Sequence, residues 1–344
     1  MKKTLIATGA ALLVIATILF AQEPETTAKK MKTIVMHQYG GPEVLRYEEA
    51  PRPEPNDDQV LIRIMAASVN PVDVAIRSGK YAEYFHTTLP LIPGMDAAGV
   101  VEKVGSKIKK LKAGDPVYAF FTLRGEGGYA EYALAEENEV APKPGTISFE
   151  EAAAVPAVGS TAWQALIEAG HLQAGQTVLI HGGSGGVGHM AIQIAKARGA
   201  RVIATASSAS QDFMRKLGAD QTIDYTKAKF EDAVKDVDLV LDAVGGETLE
   251  RSYGVVKKGG TIVTIAGEPD QSALDAHGIR GVSISAAPKS ETFAELTRLI
   301  EAGKLKPVVT KVFPLAEVAK AQEQIATRHT TGKIVLQVAM SPKS

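Results

Sequence analysis

The segment Gln176–Gly199, QTVLIHGGSGGVGHMAIQIAKARG, decides the fold of this chain. In it an apolar, β-branched run stops at a cluster of glycines, and a helix-patterned stretch follows at once. Gly183, Gly185 and Gly188 stand in G-x-G-x-x-G register, which permits a tight turn and a close backbone approach to a pyrophosphate. The segment therefore predicts a strand, a dinucleotide-binding loop and a helix, with a purely structural glycine turn as the alternative.

Residues of this loop are expected to hold the phosphates, because free N–H groups and the positive end of the helix dipole meet an anion at a helix N-terminus. The loop residues assigned to the cofactor are Gly183, Ser184, Gly185, Gly186, Val187 and Gly188. Residues that follow later predicted strands are assigned to the same site, namely Ala243, Ala266 and Gly267.

The next predicted strand, 201–206, bears on which nicotinamide dinucleotide is bound. Proteins that select NAD usually carry Asp or Glu about 20 residues beyond the loop, where it binds the ribose 2′-hydroxyl and repels a 2′-phosphate. This strand runs into ATASSAS and contains no acid. Ser207 and Ser208 can donate to a phosphate, and Arg215 and Tyr225 follow. We expect NADPH, while capping of the following helix is the alternative or additional role of the serines.

Composition restricts the class of protein. A chain of 344 residues with 45% hydrophobic and 22% charged residues is long enough for two domains with their own cores. A net charge of −1 and the lack of a basic stripe argue against nucleic acid as the main partner. The chain contains no cysteine, which removes disulfides, thiolate metal sites and cysteine nucleophiles.

The first 30 residues predict a targeting segment. Lys2 and Lys3 precede an uncharged apolar run over residues 5–20, and a polar linker follows Ala21. This pattern predicts a secretory leader, or an N-terminal membrane anchor if it stays uncut. The folded part would then be exported to the periplasm or envelope. Met31 is a second plausible start, and translation from it would give a cytoplasmic protein.

The remainder divides into three parts. Residues 31–150 are strand-like and rich in turn residues, which predicts a β-rich domain. In residues 151–285 six strand patterns alternate with helix patterns, as a doubly wound parallel sheet requires. Residues 286–344 contain two further helices and two strands, which we expect to return to the first domain. The predicted fold class is α/β, a six-stranded Rossmann sheet plus a β-rich catalytic domain.

The order of these motifs resembles the medium-chain dehydrogenase/reductase superfamily, and within it the zinc-free, NADPH-dependent quinone oxidoreductases and enone reductases. The resemblance runs from Met31 to Met340. It rests on ASVNPVDVAIRSG, PGMDAAGVVEKVG, KAGDPVY, GGYAEYA, STAWQAL, HGGSGGVG, DLVLDAVGG and TGKIVL. It implies a GroES-like catalytic domain, a homodimer, and a small molecule, a quinone or an α,β-unsaturated carbonyl, as substrate.

Zinc alcohol dehydrogenases of the same superfamily hold a catalytic zinc with Cys, His and Cys, and the matching segments place Asn70, Met95 and Ala157 there. None of these is a competent zinc ligand in this setting, so we expect no metal. Without a Lewis acid a simple carbonyl loses its main source of polarisation. The expected chemistry is therefore hydride delivery to an already electrophilic, conjugated carbon.

The resemblance also implies roles for three residues. Asn70 takes a metal-ligand position, where its amide can donate to the substrate oxygen or the cofactor; the alternative is a turn residue before Pro71. Tyr81 is expected to line the substrate cleft and to donate a hydrogen bond or relay a proton, with simple packing as the alternative. Thr161 resembles a position that borders the nicotinamide. Two rival functions stay open, an enoyl thioester reductase and a non-catalytic, crystallin-like NADPH-binding protein.

Overall fold

The computed structural model describes residues 29–122 and 126–339. The expected leader and linker cover residues 1–30, of which residues 1–28 lie outside the described residues. Within those two ranges no helix has the length and apolar character needed to cross a membrane.

The first part of the chain is built mainly from strands. These are β1 (Lys30–Val35), β2 (Arg46–Pro51), β3 (Gln59–Val69), β4 (Asp96–Val104), β5 (Pro116–Phe120), β6 (Tyr132–Glu136) and β7 (Val140–Pro142). A single α-helix, α1 (Pro71–Arg77), follows β3 directly. Most residues of β3 are buried, as its β-branched and apolar sequence requires of a central strand. It pairs antiparallel with both β4 and β6.

Two short helices, α2 (Phe149–Ala153) and α3 (Pro156–Trp163), lead into the second part. Its strands are β8 (Thr177–His181), β9 (Arg201–Ala206), β10 (Gln221–Asp224), β11 (Val237–Asp242), β12 (Val256–Thr264) and β13 (Arg280–Ser283). The helices between them are α4 (Gly186–Ala197), α5 (Gln211–Lys216), α6 (Phe230–Ala233), α7 (Glu247–Ser252) and α8 (Gln271–His277).

These six strands form one parallel sheet in the order β10-β9-β8-β11-β12-β13. The order runs outward from β8 in both directions, which is the doubly wound arrangement. The predicted fold class is thus confirmed. In such a sheet, ligands bind outside the carboxyl ends of the strands where the order reverses, which here is the edge between β8 and β11.

The last part of the chain returns to the first. It contains α9 (Ser290–Glu301), β14 (Val309–Pro314), α10 (Val318–Ala326) and β15 (Lys333–Gln337). Strand β15 pairs parallel with β14 and antiparallel with β3, with Ile334 opposite Val69. Phe293 of α9 packs edge-to-face on Tyr118 of β5 at 5.3 Å between ring centroids. Strands β14 and β15 therefore belong to the same sheet as β3, β4, β5, β6 and β7, whereas β1 and β2 form a separate two-stranded sheet, and α9 packs on the larger one.

Helix α4 lies against the sheet because its apolar residues share one face. Met190, Ala191, Ile194 and Ala195 of this helix are fully buried. Its start is brought close to β8 by Gly188, where an added Cβ would come 2.1 Å from the Gly182 carbonyl oxygen. This is the close helix–strand approach for which the third glycine of the motif is needed.

We therefore expect Gly188→Ala to destabilise the protein by about 1–3 kcal/mol, the usual cost of forcing atoms into a packed site. Gly185→Ala is the matched control, because Gly185 has φ −75° and a Cβ there would meet its nearest atom at 3.4 Å. Urea unfolding of both variants measures the difference. Equal free energies of unfolding for the two would contradict the close approach at Gly188.

Candidate functional site

The glycine loop lies at the carboxyl end of β8, between His181 and the first turn of α4. An added Cβ at Gly183 would come 2.8 Å from Met214 Sδ and 2.9 Å from Ala204 Cβ, so this glycine lets the loop pack down onto its support. At Gly185, the N-cap residue, the nearest atom to an added Cβ is a backbone oxygen at 3.4 Å. The loop thus presents bare backbone and the first N–H groups of a helix, which fits a dinucleotide pyrophosphate.

The loops after β11 and β12 reach the same edge of the sheet. Asp242, which is fully buried, accepts hydrogen bonds from the Gly245 N–H at 3.1 Å and from the Thr264 hydroxyl at 2.8 Å. An added Cβ at Gly245 would lie 2.3 Å from the Ala266 carbonyl oxygen. Ala243 and Gly267, assigned to the cofactor from sequence, lie in these two loops.

His181, at the end of β8, has a structural role. Its ring is 1% exposed and lies 3.0 Å from both the Thr205 and Ser252 hydroxyls, one at each ring nitrogen. Burial lowers the pKa of His181 to about 4, so the ring is neutral at ordinary pH. It joins β8, β9 and α7 beneath the loop.

At the end of β9 the structure adds a carboxylate that sequence reasoning missed. Strand β10 lies beside β9 with Asp224 opposite Ala206. The Ser208 hydroxyl donates to the Asp224 carboxylate, and the Thr226 hydroxyl donates to it at 2.6 Å. These hydrogen bonds, that of Ser208 first, lower the pKa of Asp224 to about 2, so this end of the site carries a negative charge. The strand β9 itself is free of acid, as its sequence shows.

The other residues expected at this end are placed differently from one another. Ser207 is the N-cap residue of a short 3-10 turn, and its side chain makes no capping hydrogen bond. Tyr225 is 55% exposed, and its N–H donates to the Ala206 carbonyl at 3.3 Å, which ties it to the end of β9. Arg215 is paired with Asp212 at 2.5 Å on α5. Its guanidinium is therefore engaged by a residue of its own helix.

A segment near the C-terminus lies along the cofactor loop. The Thr331 and Ser210 hydroxyl oxygens are 3.3 Å apart, and the Gly332 N–H donates to the Ser184 carbonyl at 2.8 Å. The stem of Lys333 lies 3.3 Å from where a Cβ on Gly186 would be. These contacts were not predicted. The one sequence signal was TGKIVL, in which a lysine begins an otherwise apolar strand.

The three positions that correspond to zinc ligands meet around Asp96, which is fully buried. The Asn70 amide nitrogen donates to Asp96 Oδ2 at 2.7 Å. The Ala157 N–H donates to Asp96 Oδ1 at 2.7 Å, and Met95 is its neighbour in the chain. Lys333 Nζ donates to Asn70 Oδ1 at 2.5 Å. Among the residues that the structure describes, no cluster of three or more His, Asp or Glu is arranged to hold a metal.

Asp73 closes the other side of this polar cluster. Its Oδ2 accepts from the Asn70 N–H at 2.8 Å and from the Tyr129 hydroxyl at 2.7 Å, so it also caps α1. Its Oδ1 is buried with no hydrogen-bond partner in residues 29–122 or 126–339. Burial raises the pKa of Asp73 to about 7, against the opposing effect of Tyr129.

An apolar cavity of about 120 Å³ opens beside Met95. Its lining comes from both parts of the molecule: Phe85, Met95, Phe120, Phe121, Thr122, Ala286, Ala287 and Pro288. Tyr81 is 39% exposed and its ring packs on Phe85 at 6.3 Å between centroids. The Thr161 hydroxyl donates to the Ala157 carbonyl within its own helix at 2.7 Å. The boundary between the two parts of the molecule is thus polar around Asp96 and apolar around the cavity.

The raised pKa of Asp73 makes stability depend on pH. In the unfolded chain this carboxyl titrates at its ordinary value of 3.8, and in the folded chain at about 7. Between these values the folded state binds the extra proton, so the free energy of unfolding falls as pH rises, by at most about 1.4 kcal/mol per pH unit for one proton. Asp73→Asn, which is always neutral, should lack this fall. Urea unfolding at several pH values from 4.5 to about 8 compares the unmodified protein with Asp73→Asn. If the free energy of unfolding depended on pH in the same way for both proteins, Asp73 would not be protonated in the folded state.

Comparisons with known proteins agree with this geometry. Residues 56–145 match the alcohol dehydrogenase GroES-like domain, and residues 217–336 match the zinc-binding dehydrogenase family. An NADPH-dependent alkenal/one oxidoreductase of Arabidopsis thaliana chloroplasts is 42% identical over 319 residues, which cover 90% of this chain and 80% of that protein. A quinone oxidoreductase of Mus musculus is 36% identical over 331 residues, 90% of this chain and 99% of that protein.

A solved structure supports the same assignment. The Escherichia coli quinone oxidoreductase in complex with NADPH superposes with a TM-score of 0.82 at 31% identity, over 89% of this chain and all of that one. The name of the second matching family refers to zinc, whereas this chain has no cysteine. The chain is an oxidoreductase that belongs to the medium-chain dehydrogenase/reductase superfamily, in the branch of the quinone oxidoreductases and enone reductases.

Proposed function

We propose that this protein is an NADPH-dependent reductase that needs no metal and transfers a hydride to a quinone or to the β carbon of an α,β-unsaturated carbonyl. The observation that carries the proposal is a continuous set of contacts: Lys333 packs near Gly186 of the glycine loop and donates to Asn70, and Asn70 donates to Asp96, whose neighbour Met95 lines the apolar cavity. The relatives named above, one an NADPH-dependent alkenal/one oxidoreductase and one a quinone oxidoreductase, support it.

NADPH supplies the hydride when it is bound. The chain itself has three tasks. The backbone of Gly185–Gly188 binds the phosphates. The side chains of Phe120 and Phe121 in the cavity lining exclude water. An N–H of Asn70 donates to the substrate oxygen on which charge develops. A positioned donor of this kind is worth about 2.7–4 kcal/mol of transition-state stabilisation. Holding the reacting carbon in place contributes further.

The test is a comparison of electron acceptors. Purified protein should oxidise NADPH with a simple enone or quinone, and far more slowly with the matching saturated ketone, because the ketone offers no conjugated carbon and no Lewis acid polarises it. A chelator should leave the rate unchanged. Reduction of the saturated ketone at a comparable rate, or a chelator-sensitive rate, would contradict the proposal, and NADPH binding without turnover would favour the crystallin-like alternative.

We expect a preference for NADPH over NADH, supported by the serines at the end of β9. Charge-assisted hydrogen bonds to a phosphate imply roughly tenfold to a hundredfold in kcat/KM for each contact made. Ser207→Asp should narrow the preference, and Asp224→Asn should widen it, because the second change removes a negative charge bonded to Ser208. Steady-state kinetics with both cofactors measures this. Equal kcat/KM for NADPH and NADH in the unmodified protein would exclude a 2′-phosphate site at the end of β9.

Arg215 has a separate outcome in the same assay. Arg215→Ala should also narrow the preference if the guanidinium leaves Asp212 for the phosphate. An unchanged preference would leave Arg215 as a surface ion pair only, which contributes little.

Tyr81→Phe tests the hydroxyl of the ring that packs on Phe85, a residue of the cavity lining. If the hydroxyl donates to the developing oxyanion or supplies a proton, kcat for an enone should fall while the dissociation constant of NADPH stays the same. Reduction of a quinone by hydride transfer should suffer less, since it depends less on a placed proton donor. Tyr84→Phe is the matched control, because Tyr84 belongs to the same aromatic cluster and is 63% exposed. Equal effects of the two changes would assign Tyr81 to packing.

We also propose a homodimer. Within the described chain β10 and β13 form the two edges of the six-stranded sheet, and an unpaired strand edge is able to pair with a second copy. Light scattering should give twice the mass of one chain, and a mass of one chain at micromolar concentration would contradict it.

The cellular location is proposed from residues 1–31 alone. A used leader places the protein in the periplasm or envelope, and membrane contact then depends on an uncut leader, whereas a start at Met31 places it in the cytoplasm. N-terminal sequencing of the protein from its native host decides between them. A chain that begins at Gln22 supports export, and one that begins at Met31 or Lys32 excludes it.

A further inference from the structure

Lys333 is a buried cation for which the proposed reaction has no direct use. It is 2% exposed, and a lysine is almost never buried unless it is paired. Its ammonium donates to Asn70 Oδ1 at 2.5 Å and to the Val69 carbonyl at 3.2 Å, and it lies 3.7 Å from Asp96 Oδ2. Burial lowers the pKa of Lys333, and the charges of Asp96 and Asp73 oppose that effect. The ammonium thus has two hydrogen-bond acceptors and, beyond hydrogen-bond distance, a carboxylate that balances its charge.

These contacts decide which way the Asn70 side chain faces. An ammonium can only donate and a carboxylate can only accept, so the amide oxygen faces Lys333 and the amide nitrogen faces Asp96. The flipped amide would place N–H against ammonium and oxygen against carboxylate. The amide nitrogen carries a second hydrogen, for which no acceptor is found in the described part of the chain. That hydrogen is left for a ligand.

The same lysine touches the cofactor loop. Its side-chain stem packs near Gly186, and the N–H of the preceding residue, Gly332, donates to the Ser184 carbonyl. The backbone N–H of Lys333 donates to the Val308 carbonyl at 2.9 Å. Ile334 of β15 lies opposite Val69 of β3 in their antiparallel pair, and this register brings Lys333 next to Asn70. The position of Asn70 is therefore coupled to the loop through Lys333.

We propose that Lys333 is a positioning residue, whose ammonium fixes the Asn70 amide so that one of its N–H groups is presented to the substrate oxygen beside the cofactor loop. The inference rests on the proposed reductase function. Lys333 acts through Asn70 and does not touch the substrate. Removing its ammonium therefore costs activity only while Asn70 is present.

The kinetic test is a double-mutant cycle with a simple enone and NADPH. Lys333→Met keeps the stem against the loop, so the dissociation constant of NADPH should change by no more than about twofold while kcat falls by about tenfold to a hundredfold, less than the full loss of an oxyanion donor. In the Asn70→Ala background the same change should have no further effect on kcat. Lys320→Met, an exposed lysine on α10, is the control and should behave as the unmodified protein.

Lys333 is not a positioning residue if Lys333→Met leaves kcat unchanged, or if it lowers kcat equally with and without Asn70. Should Lys333→Met fail to fold, Lys333→Gln takes its place in the same cycle, since it removes the charge and keeps a polar group of similar length.

A second readout needs neither cofactor nor turnover. Urea unfolding of the unmodified protein, Lys333→Met, Asn70→Ala and the double variant gives the coupling between the two side chains. The double variant should lose less stability than the sum of the single ones, and additive losses would overturn the proposal. If the unmodified protein reduces neither enone nor quinone, the proposed function fails, and the unfolding cycle still decides whether Lys333 holds Asn70.

Discussion

The buried charge pair of Lys333 and Asp96 is the interaction on which the candidate site depends, because Asp96 holds Asn70 and the first turn of α3 while the stem of Lys333 packs near the glycine loop. Lys333 on β15 brings a positive charge into a site that is otherwise closed to water, where Asp96 of β4 supplies the opposite charge. Breaking such a pair by removing one partner typically costs about 3–5 kcal/mol, because the remaining charge is left buried. The chain must therefore bring β15 back beside β3, and this return brings Thr331 and Gly332 against the cofactor loop.

Asp96 connects that charge pair to the surrounding backbone and side chains. Its two oxygens take hydrogen bonds from Ser68 and Asn70 on one side and from the Ala157 backbone on the other. One carboxylate thus connects β3 and β4 with the first turn of α3. The positions that would carry zinc ligands in related dehydrogenases are here part of a hydrogen-bonded network around Asp96. Apart from Asp73 Oδ1, the polar groups of this network are paired with one another. This leaves few donors for a substrate and makes the orientation of each donor consequential.

The adenosine end of the site follows a different rule. Selection between NADPH and NADH is commonly read from the strand that follows the glycine loop, and β9 carries serines there. In the folded protein the neighbouring strand β10 adds Asp224, which is bonded to Ser208. Since electrostatic interactions act through space, the charge that a phosphate meets depends on both strands. On a 2′-phosphate bound there, as proposed, the serines and the carboxylate would act in opposite directions.

Local patterns determined the architecture. The alternation of strand and helix patterns predicted the six-stranded doubly wound sheet, and the spacing of Gly183, Gly185 and Gly188 predicted the loop between β8 and α4. These features depend on residues close together in the chain, because backbone periodicity and turn geometry are short-range properties. The apolar sequence of β3 likewise marks it as a central strand.

Only the tertiary structure decided what surrounds each functional side chain. Asn70 was singled out from sequence, but its partner Lys333 stands 263 residues further along the chain. Asp224 lies beside Ser208 solely because β10 pairs with β9 in one register. No local pattern encodes such contacts, since a strand's neighbours and register are set by packing of the whole core. The sequence by itself thus determined the fold class and the glycine loop, whereas pairing of distant strands decided which charges meet there.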